Sequence, residues 1–403
     1  MTAPLEGIRV LDLSEHIAGP FCAKLLADFG AQVTKIERPR RGDPARLEGP
    51  FFQDDPHPEK SALFLHLNTN KRSVTLDLDT EEGRGICKRL AAQTDAVIES
   101  FRPGTLEALG LGYEVLEAVN PALILTSISD FGQSGPYRDL HGAEIVLSAM
   151  GGPLLITGTR ENEPLKLGGN VVQYHAGSAA AYATMLGLLS SELDEEGQHI
   201  DVAIYETQAG FRDRRVIYLT SYSYTGDTSK RPLTGRGLGS GVKPCADGYV
   251  NVLGGARWFP LVCDMIGHPE LANDPRFQRA GWAAVRPEAA EEFDEYYLPW
   301  LMERDKRTIV AEAQARHMLS APIFTVQDLL EDPHYQQRGA FEEVDHPETG
   351  PRLYPGRPFI MSDSPRPPAR RAPLLGEHTD EVLCGELGYS EADLERLRQQ
   401  GVV

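Results

Sequence analysis

Three short stretches place cations where a strand would end: Arg38 in KIERP, Lys71 and Arg72 in NTNKRS, and Arg102 in ESFRPG. Ligands of open α/β sheets gather beyond the carboxyl ends of the strands, so these positions would converge on one anionic group. Singly, each is an ordinary solvated loop charge; as a set in an acidic chain they point to a multiply phosphorylated ligand. The turn Ala18-Gly19-Pro20 opens a helix with Pro near its first position. Its free backbone N–H groups could meet an anion, and an ordinary strand-to-helix turn also accounts for it. No GxGxxG or GxxxxGK[ST] phosphate loop is present. His57, His66 and His175 have no ligand spacing, and neither HExxH nor GxSxG occurs. Metal and serine chemistry are therefore set aside.

A second feature is one amide. Residues 168–177 read GGNVVQYHAG, and Gln173 stands just before a run of small residues that reads as a helix over 177–193. A polar side chain there is either a helix cap or a site group.

The elements that must position these groups follow from hydrophobic periodicity. Strands are expected over Ile8–Leu13, Gln32–Glu37, Ala96–Glu99 and Leu123–Ser127, with helices over Pro20–Phe29, Glu81–Gln93, Gly104–Leu109 and Tyr113–Val119. This alternation predicts a doubly wound α/β domain with a parallel sheet. HIDVAIYE and a helical stretch to about Tyr222 follow, then a Gly/Ser/Thr-rich linker at 225–241. Residues from 242 to about 330 form a second unit, with a hairpin around the DG turn in KPCADGYVNV and helices near 257–267, 286–304 and 305–317. The tail offers strand-like FEEV and RLYPGRPF, a Pro-rich stretch at 362–373, and a last helix at Glu391–Gln400.

Composition narrows the function classes. With 40 basic against 59 acidic residues the net charge is −19, and no Lys/Arg-rich run stands out, which argues against nucleic acid. Five scattered cysteines without a CxxC suit a reduced, cytoplasmic setting. No stretch reads as a signal peptide or a membrane span.

The segments EHIAGPF, GAQVTKIERPRRGD, NTNKRSVTLDL, ESFRPGTLEALGLGYEVL, ISDFGQSGPY, EEGQHIDVAIYE, KPCADGYVNV and LGEHTDEVL, in this order, resemble the class III CoA-transferase superfamily. Formyl-CoA transferase, carnitine CoA-transferase and 2-methylacyl-CoA racemase are members of it. The resemblance implies a Rossmann-like large domain (1–224), a smaller α+β domain (225–330), and a C-terminal stretch (331–403) returning to the large domain. It also implies two chains interlocked as a dimer. The implied substrates are coenzyme A, as acyl-CoA, and a carboxylic acid, with no metal expected. Contacts to CoA would fall on His16, Ile17, Ala18, Arg38, Lys71, Arg72, Ser100, Phe101, Arg102 and His141, while the Gly-rich segments 235–241 and 253–255 would be candidates to cover the thioester.

Transferases of this family use an aspartate that attacks the thioester. The position carried over from them is Gln173, whose uncharged amide cannot act as that nucleophile. Glu163 and Asp194 are too far along the chain to substitute. In the racemase branch the acid–base pair would fall on Ala143 and Gln173, neither of which titrates. Three readings stay open. The chain is the nucleophile-lacking subunit of a heteromer, as in the two-subunit benzylsuccinate CoA-transferase; or a homodimer with a replaced nucleophile, helped by His175 or His141; or a non-catalytic acyl-CoA-binding protein.

Overall fold

The structure is a computed structural model that describes residues 3–210, 220–228, 231, 237–254, 256–277, 287–364 and 368–403. The part of the expected helix at 211–219, and residues 235–236 and 255 of the Gly-rich segments, lie outside the described residues. The chain divides into two compact units, Met1–Leu155 with Lys166–Thr228 and Gly339–Val403, and Ile156–Leu165 with Ser229–Arg338.

The first unit is built on six parallel strands: β1 (Arg9–Asp12), β2 (Gln32–Glu37), β3 (Arg72–Thr75), β4 (Ala96–Glu99), β5 (Ile124–Ser129) and β6 (Gln198–Ala203). Their order, β3-β2-β1-β4-β5-β6, is that of a Rossmann sheet. Chain direction reverses its sideways progress between β1 and β4, which pair from Val10–Ala96 to Asp12–Ile98. The residues after these two strands therefore diverge and leave a crevice at the carboxyl edge.

Alternate residues of each strand feed opposite faces. Leu11, Ile36, Val74, Val97 and Leu125 pack against the helix Glu81–Ala91 and against two C-terminal helices, Thr379–Leu387 and Glu391–Gln399. On the other face Val10, Val33, Ala96, Ile98 and Ile124 meet α1 (Ala18–Asp28) and the long helix Val171–Asp194. That second helix begins six residues earlier than its small-residue run suggests, so Gln173 lies in its first turn. The small residues serve contact: Ala176, Ala180 and Ala181 are buried, and a Cβ on Gly177 would come 2.5 Å from the carbonyl oxygen of Ala18. A larger side chain there would push apart the two helices that open on the crevice.

Several elements escaped the periodicity, β3 and the helix Thr379–Leu387 among them. Strand β3 is masked by charge, because Lys71 and Arg72 read as loop residues. In fact they stand at the amino end of β3, not at a carboxyl edge. The helix Thr379–Leu387 docks through Arg72, whose guanidinium donates to Glu386 Oε1 at 2.6 Å and to Thr34 Oγ1 at 2.7 Å. A hairpin of Phe341–His346 and Gly350–Pro355 completes this unit.

In the second unit Gly241–Cys245, Gly248–Val252 and Ser320–Ile323 form an antiparallel sheet, with the predicted DG turn at Asp247-Gly248. Val250, Val252, Phe259, Val262, Phe293 and Tyr297 make its core.

Gly177→Ala should destabilise the chain by ~1–3 kcal/mol through overpacking against Ala18. Urea unfolding of the variant beside the parent checks this; an unchanged midpoint would mean that the helix contact is looser than described.

Candidate active site

Beneath the crevice lies a layer of buried charge. Asp12, the last residue of β1, receives the Lys71 ammonium at 2.8 Å and has Lys35 of β2 at 3.9 Å; Lys35 in turn pairs with Asp43 at 2.8 Å. All four side chains are buried. Each also holds the turn that follows β1. Asp12 Oδ1 accepts the Ser14 N–H at 3.0 Å and the Ser14 hydroxyl; Lys35 donates to the Ser14 carbonyl at 2.6 Å, and Lys71 to the Pro20 carbonyl at 2.8 Å. Asp43 Oδ1 accepts the N–H of His16 at 3.0 Å. That bond fixes a strained residue, since His16 sits at φ 64°.

Burial works against the Asp12 carboxylate, but the Coulomb pull of Lys35 and then Lys71 outweighs it and holds its pKa below the ordinary range. Burial lowers Lys71 to about 8 despite Asp12, while Lys35, drawn by Asp12, Asp43 and Glu37, stays above the ordinary lysine range. Two acids thus balance two bases, which is the condition under which buried charge is tolerated.

The crevice above this layer is a cavity of about 480 Å³. His16, Ile17 and Ala18 after β1, Ser100, Phe101 and Arg102 after β4, Ser129 and Asp130 at the end of β5, and Ile204 after β6 line it. Residues 140–144, with Arg138, close one side, and Asn170 and Gln173 come from the start of the long helix. Glu15 donates its N–H to Ser100 Oγ at 2.9 Å, tying the two diverging turns together. Arg102 bonds the ring of His141 at 3.1 Å. A second cavity, of about 80 Å³ and containing Arg38, shares Glu15 and Phe101 with the first.

At the start of the long helix the free amide groups are met by a carboxylate from elsewhere. Its N-cap, Asn170, makes no side-chain cap bond. Glu144, the first residue of the helix Glu144–Met150, instead accepts the N–H of Val172 at 2.8 Å and of Gln173 at 3.3 Å. Gln173 is therefore not the cap. It presents a neutral amide to a polar cavity lined by cations and carboxylates.

A sequence model described as CoA-transferase family III matches residues 5–379. The chain belongs to CoA-transferase family III. The succinyl-CoA–D-citramalate CoA-transferase of Chloroflexus aurantiacus is 35% identical over 406 residues, 99% of this chain and 98% of that protein. The succinate–glutarate CoA-transferase of Agrobacterium fabrum is 34% identical over 396 residues, covering 94% and 95% of the two chains. The crystal structure of a CaiB/BaiF family protein from Brucella suis superposes with a TM-score of 0.81 at 30% identity, over 96% of this chain and 100% of that one.

This class III CoA-transferase thus moves CoA between acyl-CoA and carboxylates. Of the positions that the resemblance suggested, the large cavity gathers His16, Ile17, Ala18, Ser100, Phe101, Arg102, His141 and Gln173, and Arg38 lies in the adjoining one. Lys71 and Arg72 line neither; their charges are spent inside the protein on Asp12 and Glu386. Among the lining groups that went unseen in the sequence are Arg138, Asp130 and Glu144. Arg138 follows directly on the motif ISDFGQSGPY, a signal that could have found it. Glu144 had none, because it starts a helix that no periodicity marked.

Just under the β4 turn, Glu99 accepts the Phe101 N–H at 2.7 Å. Burial raises its pKa to about 7, against the hydrogen bonds of Ser127 and Phe101, with Glu107 and Asp201 adding repulsion. Between the ordinary glutamate range and pH 7 the native state holds the extra proton, so this group lowers stability as pH rises through that window. Glu99→Gln should raise the melting temperature at pH 8 and leave it nearly unchanged at pH 5. Thermal melts at the two pH values check this, and an equal gain at both would remove titration of Glu99 as the cause.

Proposed function

We propose that this chain exchanges CoA between a succinyl-CoA-type donor and a small carboxylic acid, and that it does so with a carboxylate other than residue 173. Support for the CoA part comes from the crevice at the strand-order reversal, where Arg102 and Arg138 supply positive charge in a chain of net charge −19. Arg38 in the adjoining cavity extends the cationic surface toward a second phosphate. The choice of acids leans on the full-length relatives, which act on succinyl-CoA with citramalate and on succinate with glutarate.

Exchange between two acids must conserve the energy of the thioester. A carboxylate nucleophile does so, because each anhydride or thioester it forms is as activated as the one consumed. The observation that carries the reading is Glu144, a carboxylate lining the cavity and bonded to the backbone of residue 173 itself. It favours a chain that is catalytically complete, working as a homodimer of interlocked copies with a replaced nucleophile.

The neutrality of Gln173 favours a second reading, a heteromer whose related partner chain contributes an aspartate while this subunit supplies scaffold and CoA pocket. Assaying the purified single chain with succinyl-CoA and either citramalate or glutarate separates the two. Turnover is expected; activity that appears only with a co-purified second chain would establish the heteromer instead. By calorimetry, CoA should bind, and Arg102→Glu should weaken it by about 10-fold or more, with a loss of affinity in salt for the parent. Unchanged affinity in that variant would move the phosphates elsewhere.

A further inference from the structure

Four carboxylates line the large cavity: Glu15, Glu48, Asp130 and Glu144. Three have other duties. Glu48 pairs with His16 at 3.0 Å, Glu15 stands 3.7 Å from the guanidinium of Arg38, and Asp130 accepts the N–H of Gly142 at 2.8 Å. Glu144 differs in its partners, which are two amide groups in the first turn of a 24-residue helix. Half-buried, it keeps lone pairs on both oxygens beyond the two bonds that it accepts.

From this geometry we infer that Glu144 is the covalent nucleophile of this chain; the inference rests on the single-chain reading above. A Glu144 oxygen attacks the thioester carbonyl of the donor, the C–S bond breaks, and CoA leaves as thiolate, so that a mixed anhydride joins Glu144 to the donor acyl group. The thiolate adds to the Glu144 carbonyl and expels the donor as its carboxylate, leaving a glutamyl-CoA thioester. The acceptor carboxylate attacks that thioester, releasing thiolate and forming a second anhydride. Thiolate then adds to the acceptor carbonyl and expels Glu144 as a carboxylate. No proton, electron or further reactant is consumed.

The amides of Val172 and Gln173 have a second use in this cycle. Val172 N–H faces Oε1 of Glu144 and Gln173 N–H faces Oε2, so when thiolate or acceptor adds to the Glu144 carbonyl, the oxygen on which negative charge develops already has one preorganised donor. Gln173 then has a physical rationale. A carboxylate at that position would add a second negative charge to the cavity that Glu144 lines, whereas the amide adds none.

The test is to incubate the purified chain with succinyl-CoA without acceptor, quench with hydroxylamine, and map the hydroxamate by peptide mass spectrometry. The label is expected on the peptide that contains Glu144, and Glu144→Gln should lose it together with on the order of 10³-fold or more of the turnover. Gln173→Asp in the Glu144→Gln background should restore labelling at residue 173, which separates lost chemistry from lost folding. If the single chain turns over but carries its label elsewhere, or Glu144→Gln stays fully active, the assignment to Glu144 is wrong while the single-chain reading stands. If the chain turns over only with a second chain and the label lies on that partner, both fall.

Discussion

The crevice depends on a neutral quartet of buried charges. Asp12, Lys35, Asp43 and Lys71 come from the end of β1, from β2, from the loop after it and from the residue before β3, and all four reach the turn between Ser14 and Pro20. Removing one partner of such a set leaves an uncompensated charge in low dielectric and costs about 3–5 kcal/mol, more than a single surface contact could restore. The quartet therefore makes the shape of the turn, including the left-handed His16, a property of the whole sheet and not of seven residues. A cofactor-sized ligand can be met by a surface already in place, at little ordering cost.

Electrostatics on this chain is local. The surface as a whole is acidic, yet Arg102 and Arg138 gather at one sheet edge, over a layer whose own charges cancel. Field from the quartet thus adds little to the cavity, and the cations lining it decide which sign of ligand is attracted. Acids share the cavity, so the site is suited to a substrate with an anionic end and a neutral, reactive one.

Much of the fold was legible, for identifiable reasons. Strand Ala96–Glu99 is buried on both faces because helices cover both sides of the sheet, and its apolar run announces itself. Strand β3 was hidden because its neighbours Lys71 and Arg72 are buried through ion pairs, which periodicity cannot distinguish from solvated charge. The same ambiguity hid that Lys71 is paired with Asp12 inside the protein. Of the site, the turns after β1 and β4 could be read from strand ends, and Gln173 from its resemblance. Glu144 could not, since its proximity to residue 173 arises from the packing of two helices 27 residues apart at their starts.

The central claim is that CoA occupies the cavity above the buried quartet. Hydrogen–deuterium exchange with and without CoA tests it directly. Protection is predicted at residues 14–18, 100–103 and 138–144, with no change around 50–53 and 349–355, which line a separate apolar cavity of about 530 Å³ in the same unit. Protection confined to that second cavity, with the turns after β1 and β4 exchanging as before, would contradict the account.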